Sequence, residues 1–207
     1  MNVKYLKHWF TPLMMAFAMT LFYACSSDDE EEDNPKVVPP SNTVGQINGY
    51  MYVELAGIKW ATENVGECGI TAAAGPGANG NNWGCYYYTQ DNARKTAESW
   101  GGTWQLPTEE HWQKLLDECD WAWQDSYYFD GETMSGYIVS EKKDSTRFIF
   151  LPAAGFYVDG KDIVIDQGGY GYSWSSDKER YLYFYAGYRR MTNFSTYYGL
   201  AVRLVSE

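Results

Sequence analysis

The sequence predicts an α+β domain, and three observations carry that reading. A strand-like run at residues 50–55 opens the folded part, two segments with helical spacing follow between residues 91 and 119, and beyond residue 135 the chain reads as short strands divided by turns. Strands, then two helices, then more strands is the order that packs both helices on antiparallel sheet.

Tyr50-Met51-Tyr52-Val53-Glu54-Leu55 is rich in strand formers, and Gly57-Ile58-Lys59-Trp60 returns as its hairpin partner. Residues 66–85 are rich in Gly, Ala and Asn around Gly75-Pro76-Gly77, the composition of a long irregular loop. The first helix is expected over residues 91–100, where Ala93, Ala97 and Trp100 share a face and Gly101-Gly102 is the stop signal. The second is the plainest element. Pro107 ends an extended stretch, Thr108 is a good N-cap, and Glu109 and Glu110 stand in the first turn, where the helix dipole favours negative charge. Trp112, Leu115, Leu116 and Cys119 then recur at the spacing of a buried helical face. Later strands are expected at residues 136–140, 146–151, 181–185 and 199–205, with glycine-bearing loops between most of them.

The N-terminus reads as an export signal. Lys4 and Lys7 precede an almost uninterrupted apolar run over residues 9–24, too short for the roughly 20 residues of a membrane span. Leu21-Phe22-Tyr23-Ala24-Cys25 resembles a bacterial lipobox, in which a small residue precedes a cysteine that is acylated and becomes the mature N-terminus. Phe22 and Tyr23 depart from its commonest form. The acidic block that follows, residues 28–33, cannot pack and must stay solvated. It resembles the signal that sends lipoproteins of the Bacteroides lineage to the outer face of the outer membrane. Pro35, Pro39 and Pro40 then favour an extended spacer. Residues 1–24 are thus read as a lipoprotein signal peptide, 25–45 as an acidic and proline-bearing tether, and 46–207 as one domain. The expected location is the cell surface, held to the membrane by lipid on Cys25.

Residues 46–207 carry 13 Lys and Arg against 21 Asp and Glu, a net charge of −8. A body so acidic lacks the basic footprint that nucleic acid requires. About 160 residues suffices for one hydrophobic core.

Six blocks, in order, resemble a known family. They are Gly57 to Val65, Tyr86-Tyr87-Tyr88-Thr89, the run from Trp100 through Leu106-Pro107-Thr108 to Trp112, Leu151-Pro152-Ala153-Ala154-Gly155, Tyr172-Ser173-Trp174-Ser175-Ser176, and Val202-Arg203-Leu204-Val205. They are similar to the blocks of the Fibrobacter succinogenes major paralogous domain, a family of bacterial surface lipoprotein modules. Gln90 and Gln105 stand where its pattern has tryptophan and arginine. The resemblance implies a C-type-lectin-like fold related to formylglycine-generating enzymes: a twisted antiparallel sheet, two helices and a loop-rich half. It implies no particular activity.

Chemistry-bearing residues are sparse. His111 is the single histidine after the signal segment, reads as half-exposed, and would have to serve any Ser-His-Asp or Cys-His site. The last cysteine is Cys119, so the late cysteines of formylglycine-generating enzymes are missing. The lectin calcium motifs are missing too, and Asp159-Gly160-Lys161-Asp162 reads as a turn. No cofactor or metal is expected. Cys68 and Cys85 bracket the Gly/Asn/Ala loop, and a bridge there implies roughly 3 kcal/mol in the chain-entropy model. Cys85 with Cys119 is the other pairing left open; the family resemblance favours Cys68–Cys85, with Cys119 a buried free thiol.

The positive signal is aromatic: 9 Trp, 19 Tyr and 9 Phe. Tyr181-Leu182-Tyr183-Phe184-Tyr185 alternates, and the tyrosines near the C-terminus exceed what one sheet face buries. Tyrosine offers rigid contact area with a polar tip, as recognition surfaces do. The loops over residues 168–172 and 188–198 are expected to gather Tyr170, Tyr172, Tyr188, Arg189, Asn193 and Tyr197 into an exposed site for a glycan or a partner protein. The other reading is a surface enzyme, such as a hydrolase, built on carboxylates drawn from Asp120, Asp125, Asp130, Asp166, Asp177 or Glu179.

Overall fold

The computed structural model describes residues 43–66, 72–73, 83–129, 132–158, 163–193 and 198–207, all within one unit, Asn34–Glu207. Five strands precede the first helix: β1 (Val44–Ile47), β2 (Tyr50–Leu55), β3 (Ile58–Ala61), β4 (Ala72–Ala73) and β5 (Tyr86–Tyr87). Helix α1 (Gln90–Trp100) and strand β6 (Trp104–Gln105) lead to α2 (Glu109–Glu118). There follow β7 (Cys119–Phe129), β8 (Glu132–Glu141), β9 (Asp144–Pro152), β10 (Phe156–Val158) and β11 (Ile163–Ile165). Last come β12 (Tyr170–Trp174), β13 (Arg180–Tyr185), β14 (Tyr188–Asn193), β15 (Tyr198–Gly199) and β16 (Val205–Ser206).

Of the described residues 55% lie in strands and 16% in helices, and the strands form several small antiparallel sheets. This overturns the expectation of an α+β, C-type-lectin-like domain with a loop-rich half. The two helices stand where the sequence placed them. Cys119, expected on the face of the second helix, instead begins β7, and the segments read as loops or left unassigned, above all residues 120–129, 170–174 and 188–193, are strands.

Helix α2 forms for local reasons. The Thr108 side chain accepts from the His111 backbone N–H at 3.1 Å, and the Thr108 N–H donates to His111 Nδ1 at 3.2 Å, a reciprocal cap. His111 Nε2 then bonds Glu207 Oε1 at 2.8 Å. His111 is therefore buried, not half-exposed as its sequence context suggested, and it ties the helix start to the chain end.

The first sheet runs β1-β2-β3-β16-β6, so the C-terminal strand is inserted between the opening hairpin and the strand after α1. The meanders β7-β8-β9 and β12-β13-β14 form two further sheets, β11-β10-β15 a third, and β4 pairs with β5. Trp112 and Leu115 of α2 pack in one core with Val53, Leu55 and Trp60 of the first sheet, Val139 and Ile149 of the second, and Leu182 and Phe184 of β13. Each such side chain, fully buried, contributes roughly 1.5–3 kcal/mol. Ala93, Ala97 and Trp100 of α1 pack in a second cluster with Trp104, Trp174 and Tyr181.

Arg203 bolts the sheets together. Its guanidinium donates to the carbonyls of Ala61 at 2.8 Å and Phe150 at 2.7 Å, and to Asn64 Oδ1 at 3.0 Å, fully buried. Burial pushes its pKa down to about 9, and the nearby Glu63 charge opposes that shift. The cation thus persists at neutral pH.

Candidate functional site

The alternation read in residues 181–185 extends across three strands. In β12, Tyr170, Tyr172 and Trp174 pair with Tyr185, Tyr183 and Tyr181 of β13. Tyr181, Tyr183 and Tyr185 pair in turn with Thr192, Arg190 and Tyr188 of β14. Side chains two apart on a strand share a face, and directly paired residues lie on the same side. One face of this sheet is therefore tyrosine, and the other carries Gly171, Ser173, Leu182, Phe184, Arg189 and Met191.

Two local devices hold it. Gly171 lies opposite Phe184 on the core face, and a Cβ there would come within 1.9 Å of the phenylalanine ring. The Tyr-Gly-Tyr run thus presents two tyrosines outward while the glycine admits Phe184. At the β13–β14 turn, Gly187 takes φ +79°, and the Tyr137 hydroxyl both donates to Tyr185 O at 3.0 Å and accepts from Gly187 N at 2.9 Å.

The rings form a continuous ladder. Tyr185 stacks on Tyr188 at 5.0 Å, Tyr183 lies 5.1 Å from Tyr172 and 6.2 Å from Tyr188, and Tyr170 lies 5.3 Å from Tyr185. Phe156 extends it, 5.3 Å from Tyr172 and 4.7 Å from Tyr198. Tyr170 is 36% exposed, Tyr172, Tyr183, Tyr185 and Tyr188 are half-buried, and Tyr181 at the inner end is buried.

Charged groups stand beside the ladder. Asp166, exposed and at φ +63°, accepts from the Tyr172 hydroxyl at 3.0 Å. Burial, and then the Asp166 carboxylate, push the Tyr172 phenol above its ordinary value. Burial likewise raises Tyr181 and Tyr183. These phenols stay neutral at ordinary pH and keep their O–H groups as donors. Exposed Arg190 lies over the Tyr188 ring at 5.7 Å.

Of the residues expected to gather, Tyr170, Tyr172 and Tyr188 share this face. Arg189 and Asn193 point to the opposite side, because residues 188–193 are a strand and not a loop. Tyr197 lies outside the described residues. Tyr183 and Tyr185, whose alternation the sequence showed but which were not among the six residues expected to gather, join the face with Arg190 and Asp166. Reading Ala186-Gly187 as a two-residue turn restarts the alternation at Tyr188, which selects Arg190 over Arg189. Gln90 also gains a role: its side-chain amide donates to Ser175 O at 2.7 Å and to Asp177 O, and accepts from Glu179 N at 3.3 Å, pinning the loop between β12 and β13.

The carboxylates considered for hydrolysis have structural partners in several cases. Asp166 holds Tyr172, Asp125 accepts from Trp123 Nε1 at 2.7 Å, and Asp177 accepts from Ser175 Oγ at 3.0 Å and from the N–H of Glu109 at the start of α2. Asp120 and Glu179 are exposed, and Asp130 and residues 159–162 lie outside the described residues. Among the described residues no three His, Cys, Asp or Glu side chains converge on a point that would hold a metal. Cys85 is disulfide-bonded and Cys119 is a buried free thiol, which excludes the Cys85–Cys119 pairing. The expected partner, Cys68, and the proposed lipid site, Cys25, lie outside the described residues.

No family model, no curated protein and no solved structure matches the chain.

Proposed function

We propose that this chain is a non-catalytic, surface-tethered module that binds a glycan on the tyrosine face of β12–β13–β14. The observation that carries the reading is the ladder of five partly exposed, mutually touching tyrosines, Tyr170, Tyr172, Tyr183, Tyr185 and Tyr188. Aromatic rings offer apolar faces to the C–H faces of a sugar, and each phenol adds a hydroxyl that meets sugar hydroxyls. Strands hold these rings in place, so little conformational entropy is lost on binding. An open ladder suits an extended chain of sugars better than a single small molecule.

The lipid on Cys25 and the acidic, proline-bearing segment would hold such a module away from the outer membrane, where polymeric ligands are encountered. The six ordered blocks support membership of the Fibrobacter succinogenes major paralogous family of surface lipoproteins, taken without the lectin-like fold.

The test is a glycan array probed with the full-length chain in detergent. Selective binding to extended glycans is expected. Binding to none of them, with capture instead by a protein partner through Tyr185 or Tyr188, would replace the glycan reading with a protein-docking one.

A further inference from the structure

Beside the tyrosine face, a cleft of about 480 Å³ opens between α2 and the β13–β14 hairpin. Gln113, Leu116 and Asp117 form its helical wall, and Tyr188, Arg189 and Arg190 its strand wall. Three of the chain's six arginines line it, although the domain as a whole is acidic. Arg180 is spoken for, in a two-pronged pair with Glu109. Arg189 and Arg190 have no such partner among the described residues.

Arg189 is the unusual one. Its guanidinium carbon lies 5.1 Å from the Trp121 ring centre and 5.9 Å from that of Tyr137. Its Nε is buried and makes no hydrogen bond. The two rings hold the guanidinium beside them without using its donors. With Nε covered, the terminal Nη groups are the donors left for a ligand, and such a planar pair matches a carboxylate, which accepts two parallel N–H bonds.

We propose that this cleft binds the carboxylate of an acidic sugar, and that the ligand of the tyrosine face is accordingly a uronic-acid-containing glycan. The inference rests on the glycan reading above and narrows it. Tyr188 stacks on Tyr185 in the ladder and also lines the cleft; β14 is the edge strand of its sheet, so a chain of sugars would pass from the ladder to Arg189, on the opposite face, around that edge. The charge balance selects the anion. Arg180, Arg189 and Arg190 face Glu109 and Asp117, a net charge of +1. Asp117, held by Gln113 Nε2 at 2.9 Å, repels a dianion more strongly than a singly charged carboxylate.

The experiment prints uronate oligosaccharides beside their carboxyl-reduced, neutral counterparts and probes them with the full-length chain in detergent. Polyglutamate serves as a second anionic probe. The acidic member of each pair is expected to bind about tenfold or more tightly, a preference that fades as salt rises. Arg189→Met should erase the preference yet keep the binding of the neutral member, with Arg189→Lys intermediate and Arg190→Gln a milder loss. Retained neutral binding also shows that the variant is folded. Equal binding of acidic and neutral members, or an unchanged preference in Arg189→Met, overturns the carboxylate site and leaves the tyrosine-face reading standing. Binding of polyglutamate through Arg189 with no glycan bound at all overturns both and assigns the cleft to an acidic protein. No binding to either probe also overturns both.

Discussion

Tyr185 and Tyr188 are the last register pair before the β13–β14 turn, and their rings stack 5.0 Å apart and 20° from parallel. A turn of only Ala186 and Gly187 separates them in sequence, so the outer end of the ladder is set by the turn itself. Tyr137, from a different sheet, fixes that turn through both hydrogen bonds of its hydroxyl. The outer end of the ladder is therefore built on the fold and does not depend on a free loop.

The glycine under the ladder is a sensitive point. Gly171→Ala drives a methyl group into Phe184 and should cost about 1–3 kcal/mol from overpacking. Chemical denaturation measures it, and a midpoint equal to wild type would show that Phe184 moves freely aside.

Trp112 is fully buried, tilted against Trp60 at 4.7 Å, and donates from Nε1 to Trp174 O at 3.3 Å. Trp112→Ala should destabilise the domain by roughly 3–5 kcal/mol. A melting temperature within a degree or two of wild type would contradict this account of the core.

Alkaline pH should unfold the domain. Burial raises the Tyr127 phenol to about 12 and pushes Tyr86 and Tyr172 higher still, whereas an unfolded tyrosine titrates near 10. A raised folded value means that the native state binds the proton more tightly. The stability it contributes is complete below about pH 10 and is lost as pH climbs toward the folded values. Melting temperatures followed alongside phenolate absorbance test the sign: they should hold to about pH 9 and then fall. Ionisation of every tyrosine near pH 10 with no loss of stability would refute it.

Thiol chemistry tests the anchor and the disulfide together. Burial, and then Glu141 and Glu118, raise the Cys119 thiol to about 12, so it should resist labelling in the native state. Unfolding the mature, acylated chain without reductant should expose one thiol. Cys25→Ser should also release the protein from membranes; unchanged partitioning into detergent would remove the lipid anchor from the account.

Much of the helical half was legible because its signals are local. Thr108 caps α2 and Trp112 and Leu115 mark its buried face, as the spacing indicated. Two strands escaped for different physical reasons. β7 starts at Cys119, the C-cap of α2, with no turn residue between them, so its first position also satisfied the helical pattern. β14 reads Tyr-Arg-Arg-Met-Thr-Asn, with polar residues on both faces because one side meets the ladder and the other the cleft. Without a hydrophobic alternation the segment looked like a loop, and Arg189 was grouped with tyrosines from which the strand turns it away. The contact of Arg189 with the Trp121 ring depends on β7, so it was not legible while that strand went unread.

The most direct test of the tyrosine face measures affinity for the best glycan of the array in Tyr188→Ala against wild type, with the melting temperature of each. Tyr188 is half-buried and stands at the outer end of the ladder, so its loss should leave stability within about 1 kcal/mol and weaken binding by about 1–2 kcal/mol or more. Unchanged affinity in a fully folded Tyr188→Ala, repeated in Tyr183→Ala, would mean that the glycan binds elsewhere and that the ladder is only a packed sheet surface.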